Sequence, residues 1–382
     1  MKIAIVHDFL TYWGGAEQVL LSFHRIWPDA PIYTLLYDEK IVREYFPGAK
    51  IKASFLQKFP KFLRRRKKYL LPFAAIAPET IDLKDFDLVI SSSSSFAKGI
   101  IVKPKTIHIS YCHTPTRFLW DWYFEYLREN ELGMIKKSFV LAILHYLRMW
   151  DKSVADRVDY FIANSISTQK RIAKFYRTKS QVIYPPVDTN KFKVQSSPKD
   201  KPTGQAKFKV KERDYFLIVS RLSAYKKIDS AIEAFNKLDW PLYIIGDGEQ
   251  KEYLKSIAGK NITFLGFVKE KDLPGYYRNA RALIFPGEDD FGIAPVEAMS
   301  AGTPVIALRK GGAKETIIEG VTGDFFDYSA APLIAEAVVR FSENEKKYNR
   351  EIIARHAEKF SRERFEREIK DYVRKIVDEE KK

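Results

Sequence analysis

Two basic side chains stand close to the predicted end of a buried strand. Residues 216–219 form a short apolar run, Arg221 follows shortly after it, and Lys226 comes about one helical turn later. An arginine guanidinium grips phosphate oxygens with a planar fork, and a lysine ammonium supplies a point charge. Two cations at one strand end predict a diphosphate site, although a solvated loop would also suit a chain rich in bases.

A second candidate is an acidic loop that leads into a helix. Asp289 precedes this helix, which is expected to begin near Pro295, and Glu297 lies within it. Carboxylates accept hydrogen bonds from sugar hydroxyls. The backbone N–H groups of Gly292 and Ile293 can hold a phosphate at the helix start. The segment therefore predicts a ligand that carries both hydroxyl and phosphate groups.

Glycines and a histidine follow predicted strands in the first half of the chain. Gly14 and Gly15 open a helix, where backbone N–H groups can approach a phosphate, or they merely permit a tight turn. The GxGxxG spacing of a nicotinamide-type site is missing. His113 follows the strand predicted at 107–111, and this position favours a functional role. Its neighbour Cys112 is expected to be a small core residue rather than a nucleophile.

The elements that must position these residues are short apolar runs that alternate with helical stretches. The runs lack polar/apolar alternation, which is typical of parallel strands covered on both faces. They lie at residues 3–6, 88–91, 107–111, 160–163, 181–184, 216–219, 242–245, 262–265, 282–285 and 305–307. The expected fold is α/β, with two doubly wound, Rossmann-like domains whose parallel sheets face across a cleft. Gly246 opens another turn at the end of one run.

A polar stretch with prolines and a glycine divides the runs into two sets. Residues 193–214 are therefore predicted to be a linker or loop. The predicted N-terminal domain covers residues 1–192 and the C-terminal domain residues 215–361. A final helix at 362–382 carries one apolar stripe that could cap either domain.

Composition narrows the class of protein. The 382 residues exceed one ordinary domain, the hydrophobic fraction is 46%, and the formal net charge is +16. This charge predicts an anionic partner, which could be a nucleic acid, a membrane surface or a phosphorylated small molecule. The single cysteine excludes a disulfide framework and a multi-cysteine zinc site, and it fits a reducing, intracellular compartment. No apolar run reaches the roughly 20 residues of a membrane span, and no signal peptide is expected.

One cationic segment has a pattern of its own. Residues 55–73 interleave bases with aromatic and aliphatic side chains, which suits an anionic lipid surface. The alternative is a partly buried helix with a solvated basic edge, and no recognition motif supports RNA binding. The bases of this candidate membrane or acceptor surface are Arg64, Arg65, Arg66, Lys67 and Lys68.

Together these motifs resemble the retaining glycosyltransferases of family 4, which have the GT-B architecture. The resemblance spans nearly the whole chain. It rests on the Gly14-Gly15 loop, His113, the pair Arg221 and Lys226, and the block DDFGIAPVEAMSAGTPVIA with the glycine pair after it. The sequence is similar in particular to bacterial or archaeal enzymes that add mannose or a related sugar in polysaccharide or O-antigen assembly. The resemblance implies that the C-terminal helix crosses back to the first domain.

The resemblance also implies roles for individual residues. Gly15 would lie against the donor diphosphate, and His113 would contact the transferred sugar near its 6-hydroxyl. Arg221 and Lys226 would stabilise the leaving group. Asp289 stands where the family has the first glutamate of an E-x7-E pattern, and it would hold the sugar hydroxyls with a side chain one methylene shorter. The remaining implied donor-binding residues are Gly14, Gly246, Val268, Phe291, Gly292, Ile293 and Glu297, the last of which would hold the ribose.

The implied reaction is a front-side displacement with retention, in which the donor phosphate accepts the proton of the acceptor hydroxyl. It implies no cofactor and no metal, and GDP-mannose is favoured over a UDP-sugar as donor. The acceptor would bind the first domain as a saccharide or a polyprenyl-diphosphate-linked sugar, at the cytoplasmic face of the cell membrane. A nucleotide-sugar epimerase of the same fold is one alternative, and a basic nucleic-acid-binding protein is another.

Overall fold

A computed structural model of the protein describes residues 1–65, 70–129, 134–192 and 213–381. The chain divides into two compact units, of which the first comprises Met1–Pro186 with Phe365–Lys382 and the second Val187–Arg364. Residues 193–212 of the predicted linker lie outside the described residues. So do Arg66, Lys67 and Lys68 of the predicted basic surface.

The first unit is built on a seven-stranded sheet whose strands are all parallel. The strands are β1 Ile3–Leu10, β2 Ile32–Tyr37, β3 Ile51–Ala53, β4 Leu88–Ser93, β5 Ile107–Cys112, β6 Tyr160–Ala163 and β7 Ser180–Val182, in the order β3-β2-β1-β4-β5-β6-β7. The helices that connect them are α1 Gly15–Ile26, α2 Glu39–Tyr45, α3 Lys61–Arg65, α4 Leu71–Ala74, α5 Tyr123–Glu129, α6 Met134–Ala155 and α7 Ile166–Phe175.

The second unit repeats this plan with six parallel strands. The strands are β8 Tyr215–Val219, β9 Leu242–Ile245, β10 Ile262–Gly266, β11 Ala280–Phe285, β12 Val305–Leu308 and β13 Gly323–Phe326, in the order β10-β9-β8-β11-β12-β13. The helices are α8 Thr189–Phe192, α9 Ile228–Leu238, α10 Lys251–Ser256, α11 Leu273–Asn279, α12 Ile293–Ser300, α13 Ala313–Thr316, α14 Ala331–Asn344 and α15 Arg350–Ala357. The final helix, α16 Arg362–Glu379, starts in this unit and belongs to the first unit from Phe365 onward. Each apolar run predicted to be a strand overlaps one of these strands, so the doubly wound α/β fold is confirmed.

Each sheet has one point at which the direction of its winding reverses. In the first unit the chain runs from β1 to β2 and β3 on one side and then starts β4 on the other. In the second unit the same reversal separates β8 from β11. Loops diverge at such a point and leave a crevice beyond the carboxyl ends of the strands, where ligands of open α/β sheets bind.

The C-terminal helix completes the core of the first unit. Its apolar stripe is buried there, beginning with Phe365, whose ring centroid lies 5.8 Å from that of Phe23 and 5.7 Å from that of Tyr111. Ile369 and Val373 continue the same cluster. The implied return of this helix to the first domain is therefore confirmed.

The chain passes from the first unit to the second after Pro186 and returns to the first at Phe365, whereas the predicted boundaries lie at residues 192 and 362. Val187 pairs with Ser361 in an isolated bridge. Asp188 accepts a hydrogen bond from the Arg362 guanidinium at 2.6 Å. These contacts hold residues 187–192 and the start of α16 in the second unit.

Candidate functional site

The ends of β8 and β11 bring two predicted site residues into contact. Lys226 lies in a short helical turn after β8, and its Nζ is 2.6 and 2.5 Å from the two carboxylate oxygens of Asp289. Their side chains are only 13% and 21% exposed. The contact is therefore a shielded, charge-assisted pair at the reversal point of the second sheet.

Arg221 lies in the same loop as Lys226 but is exposed. Among the described residues, no hydrogen bond or ion pair engages its guanidinium. The two cations thus differ, because Arg221 is open to an anion from solution and Lys226 is already held by a carboxylate.

Glycines let the loops around this pair touch one another. A Cβ atom on Gly287 would lie 2.8 Å from the Cα of Lys226, and one on Gly311 would lie 2.2 Å from the carbonyl oxygen of Asp289. Gly311 also has a φ of +58°, a region that favours glycine. The N–H of Gly312 donates to the same carbonyl at 2.9 Å. Loops after β8, β11 and β12 are therefore packed backbone to backbone, which fixes the position of Asp289.

Helix α12 begins where the sequence predicted a phosphate site. Gly292 precedes its first residue, Ile293, with a φ of +86°, so the helix starts before Pro295 rather than at it. The N–H groups of a first helical turn lack intrahelical partners and favour an anion. The Phe291 side chain is buried, with its ring centroid 5.6 Å from that of Phe360, and it serves the packing of this segment.

Glu297 is held from within the second unit. The hydroxyl of Tyr277 donates to its Oε2 at 2.8 Å. Burial raises the pKa of Glu297, while the Tyr277 hydrogen bond and the charge of Lys191 act in the opposite direction. With one oxygen held by the phenol, the other remains able to accept a hydrogen bond from a sugar hydroxyl.

The neighbouring strand ends carry two further residues that the resemblance implies to bind the donor, Gly246 and Val268. The N–H of Gly246, after β9, donates to the carbonyl of Gly266 at 2.9 Å. Val268 is partly buried, whereas the side chain of Phe267 is 82% exposed. Phe267 was not among the residues implied to bind the donor, although its exposed ring is of a kind that can stack on a nucleobase.

In the first unit, the partly exposed His113 ends a line of buried polar groups. Its Nε2 lies 2.8 Å from Ser92 Oγ, and His7 Nδ1 lies 3.1 Å from the same oxygen. His7 Nε2 in turn lies 3.6 Å from Oε1 of Glu17, and both of these side chains are 2% exposed. His7 and Ser92 are register partners on β1 and β4, so the line crosses the reversal point of the first sheet.

Burial keeps the His113 imidazole neutral. Burial, with a smaller contribution from the nearby His7, lowers the pKa of His113 to about 3. A neutral imidazole has one N–H and one free lone pair, so it can donate at one nitrogen and accept at the other. Burial also raises the pKa of the Cys112 thiol to about 12, which agrees with a core residue rather than a nucleophile.

Gly14 and Gly15 begin α1 as predicted, and an acidic side chain lies beside them. Gly14 is the extended residue before the helix. A Cβ atom on it would lie 3.2 Å from Oε2 of Glu17. This oxygen is buried and has no hydrogen-bond partner among the described residues. The helix start therefore has a carboxylate close to the backbone that was predicted to meet a phosphate.

The described part of residues 55–73 is only partly exposed. Leu56 and Leu70 are buried in a cluster with Leu144 and Leu147 of α6. Large apolar side chains of the elements that form this cluster nevertheless remain exposed. They are Phe62, Phe73, Ile76, Phe124, Phe139, Tyr146 and Met149. We call this set the apolar rim, and Arg64 and the exposed Lys61 and Lys137 lie on the same elements.

Two further properties concern membranes and metals. Within the ranges that the structure describes, no helix is both long and apolar enough to span a bilayer. In the same ranges, no group of three or more His, Cys, Asp or Glu side chains is arranged to hold a metal ion.

The structure thus joins Lys226 with Asp289, and it places His113 at the end of a line of three residues that were not predicted site residues. These are His7, Glu17 and Ser92. Each follows or begins an element that was already predicted, but the contacts join β1, α1 and β4, and they become visible only once the strand order is known.

Two family models match the chain. One, described as Glycosyltransferase Family 4, matches residues 13–191, and one described as Glycosyl transferases group 1 matches residues 200–359. Between them they cover most of the chain and both units.

Two named mannosyltransferases are similar to the chain in sequence, and one solved structure is similar to it in fold. The chain is 25% identical to alpha-1,3/1,6-mannosyltransferase ALG2 of Dictyostelium discoideum over 70% of each chain. It is 29% identical to a GDP-mannose-dependent alpha-(1-6)-phosphatidylinositol monomannoside mannosyltransferase of Mycobacterium tuberculosis, over 49% of this chain and 53% of the relative. The crystal structure of Anabaena HepE in complex with UDP and glucose superposes with a TM-score of 0.71 at 20% identity, covering 98% of this chain and 99% of that one.

Proposed function

Because the chain belongs to the glycosyltransferases of family 4 and has the GT-B fold, we propose that it transfers a hexose from a nucleotide sugar to a saccharide or lipid-linked acceptor. The contact between Lys226 and Asp289 carries this proposal, because it unites a cation for the leaving diphosphate with a carboxylate for the sugar. The second unit binds the donor in this proposal, and the first binds the acceptor.

The leaving group explains why the pair is useful. Departure of a nucleoside diphosphate leaves negative charge on phosphate oxygens, and cations already in place stabilise that charge in the transition state. Arg221 meets the incoming diphosphate first, since it is exposed. Lys226 then exchanges its carboxylate partner for phosphate, which frees Asp289 to accept hydrogen bonds from the sugar. His113 contacts the same sugar, Gly15 and the start of α12 favour the phosphates, and Glu297 holds the ribose.

Mannose from GDP-mannose is the first candidate for the donor. Support comes from the relatives, since one is a mannosyltransferase and another is GDP-mannose-dependent by name. The similar HepE structure holds UDP and glucose, so UDP-glucose is the second candidate. An epimerase and a nucleic-acid-binding protein receive no support from these relatives.

The donor can be identified by slow hydrolysis without any acceptor. The purified protein is incubated separately with GDP-mannose, UDP-glucose and UDP-N-acetylglucosamine, and release of the nucleoside diphosphate is followed. Release from GDP-mannose above the rates with both UDP-sugars is expected. Faster release from a UDP-sugar would overturn the donor assignment, and neither release from nor binding of any donor would overturn the transferase proposal.

We place the acceptor side of the reaction at an anionic lipid surface. The apolar rim combines exposed aromatic rings with basic side chains on the same elements, which suits shallow insertion among anionic headgroups. A polyprenyl-diphosphate-linked sugar would present its saccharide at such a surface.

Vesicle sedimentation tests this placement. The protein is expected to sediment with phosphatidylglycerol vesicles and much less with phosphatidylcholine vesicles. The double substitution F62S and F139S, and separately neutralisation of Arg64, Arg65 and Arg66 to glutamine, should each release it. Tyr253→Ser removes an exposed ring of α10 in the second unit and serves as the matched control. Equal sedimentation of all variants would show that the apolar rim is no membrane contact.

A further inference from the structure

The contacts that join Glu17, His7, Ser92 and His113 can donate their hydrogen bonds in either of two directions along the line. The group at the end of the line decides which direction is taken. Ser92 lies between two imidazoles, and its hydroxyl has only one proton to donate. If Ser92 donates to His7 Nδ1, it must accept from Nε2–H of His113. If it donates to His113 instead, it must accept from Nδ1–H of His7. The two arrangements leave opposite tautomers on His113.

Glu17 decides between the two arrangements. A carboxylate accepts hydrogen bonds and donates none. The nitrogen of His7 that faces Glu17 Oε1 is Nε2, at 3.6 Å, which is longer than a normal hydrogen bond but well within reach of a charge–dipole attraction. Both groups are almost fully buried, so solvent screens this attraction little. The proton of His7 therefore belongs on Nε2, its lone pair faces Ser92, and the hydroxyl of Ser92 points to His7.

We propose that Glu17, His7 and Ser92 are positioning residues that hold His113 in the tautomer with its proton on Nε2 and a free lone pair on Nδ1. Burial that keeps the ring neutral is consistent with this assignment. The loop after β4 is itself fixed, because the Asp8 carboxylate accepts backbone hydrogen bonds from Ser94, Ser95, Phe96 and Ala97.

In this tautomer, the unprotonated Nδ1 of His113 is able to interact with a ligand. His113 is partly exposed, and among the described residues no hydrogen bond engages its Nδ1. This step rests on the proposed function, in which His113 contacts the transferred sugar. The lone pair on Nδ1 accepts a hydrogen bond from a sugar hydroxyl, and the negative end of the ring dipole then faces the sugar. A sugar that gains positive charge as its bond to the diphosphate breaks is stabilised by this orientation.

The same sheet contains a matched reference. Ser91 Oγ lies 2.9 Å from Nε2 of His108, whose Nδ1 lies 3.3 Å from the carbonyl oxygen of Arg157. A carbonyl only accepts, so His108 must carry its proton on Nδ1. Adjacent serines of β4 are thus paired with histidines in opposite tautomers, and one spectrum of the protein reports both.

Nitrogen NMR of the full chain, labelled with 15N in its histidine rings, tests the proposal without any substrate. Long-range proton–nitrogen correlations show which ring nitrogen carries the proton. In the wild type we expect Nε2–H for His113 and Nδ1–H for His108. In Glu17→Gln, where the amide can donate to His7, the His113 population should shift toward Nδ1–H while His108 stays unchanged. Nδ1–H on His113 of the wild type, or no response to Glu17→Gln, would overturn the proposal.

Steady-state kinetics then distinguish a positioning role of Ser92 from a role in packing alone. Ser92→Ala should lower kcat by about tenfold, on the scale of one hydrogen bond, with a smaller change in donor KM, because the lone pair acts mainly in the transition state. Ser91→Ala is the control and should leave both parameters close to those of the wild type. Equal losses in both variants would indicate a packing role. If no donor is turned over at all, the proposed function fails while the NMR result still decides the tautomer.

Discussion

Lys226 and Asp289 were each identified from their own strand ends, and the structure shows that they are partners. The pairing gives a physical meaning to Asp289, which stands where the family resemblance implies a glutamate. With a side chain one methylene shorter, the carboxylate is anchored beside Lys226 by the backbone contacts of Gly311 and Gly312. In the proposed function, that loop sets how far the Asp289 carboxylate reaches toward the sugar.

Removal of the Lys226 charge should affect turnover far more than stability. In Lys226→Ala we expect kcat to fall by roughly 100- to 1,000-fold, as for the loss of one donor at a developing charge. Steady-state kinetics with the preferred donor measures this loss. Lys237→Ala removes the same charge from an exposed position of α9 and is the control. A turnover number in Lys226→Ala equal to that of the control would refute the role of Lys226.

Buried histidines should make the protein sensitive to acid. Burial lowers the pKa of His108 to about 4 and, with His7, that of His113 to about 3. Between an unfolded pKa of about 6.5 and these values, only the unfolded chain takes up the protons. Stability is therefore fully present above this window and falls as the pH drops through it, by about 1.4 kcal/mol per pH unit for each histidine.

Urea unfolding between pH 7 and pH 5 measures this slope. His108→Asn should flatten it by one histidine's contribution, which approaches about 1.4 kcal/mol per pH unit below a pH of about 6. His145→Asn changes an exposed histidine and is the control. Slopes that coincide in wild type and His108→Asn would contradict the assignment.

Residue types and strand ends sufficed to select His113, Lys226 and Asp289 as candidates. The partners of His113 were not found because a contact between Glu17 and His7 depends on how α1 packs on β1. Ser92 was hidden in a run of serines, where composition does not tell which hydroxyl faces which side of the sheet.

At the scale of the elements, loops rather than strands determine the site. Within each sheet, the parallel strands place their carboxyl ends at the same edge. Asp289 nevertheless reaches Lys226 only because glycines allow three loops to touch. Glycine thus acts here through close approach as well as through φ.

A pair of glycine substitutions separates these two effects. Gly311 and Gly320 both have positive φ, +58° and +73°, but only Gly311 has a neighbouring atom where a Cβ would stand. Gly320→Ala should cost roughly 1–2 kcal/mol of unfolding free energy from backbone strain alone. Gly311→Ala should cost clearly more and should also lower kcat, because the Asp289 loop must move. Equal costs in denaturant unfolding would show that the contact with Asp289 is not tight.

The strands that the sequence reasoning missed share a physical cause. β2 contains Thr34 and tyrosines, β3 is three residues long, and β13 begins with Gly323 and Asp324. These segments lack the continuous aliphatic runs that revealed the other strands, and their place in a sheet depends on their neighbours.

At the scale of the whole molecule, the first unit is closed by the last helix of the chain. Phe365 lies at the centre of this closure, fully buried between Phe23 and Tyr111. The sequence showed the stripe of α16 but not which unit it covers, and only the family resemblance indicated the first.

Phe365→Ala should therefore destabilise the first unit strongly. We expect a loss of about 3–5 kcal/mol, which is typical of a phenylalanine removed from a core. Phe62→Ala, at a residue that is 67% exposed, is the matched control and should change stability by no more than about 0.5 kcal/mol. Denaturant unfolding followed by tryptophan fluorescence measures both, and similar midpoints for the two variants would contradict a structural role for α16.

The return of α16 has a consequence for synthesis on the ribosome. The apolar surface that Phe365 covers, with Phe23 and Tyr111, emerges first, and the whole of Val187–Arg364 must be translated before its cover exists. During that interval the nascent first unit carries an unfinished core, which is the kind of surface that chaperones recognise and that aggregates when left unattended. Translation speed through the second half of the message thus bears on the yield of folded protein.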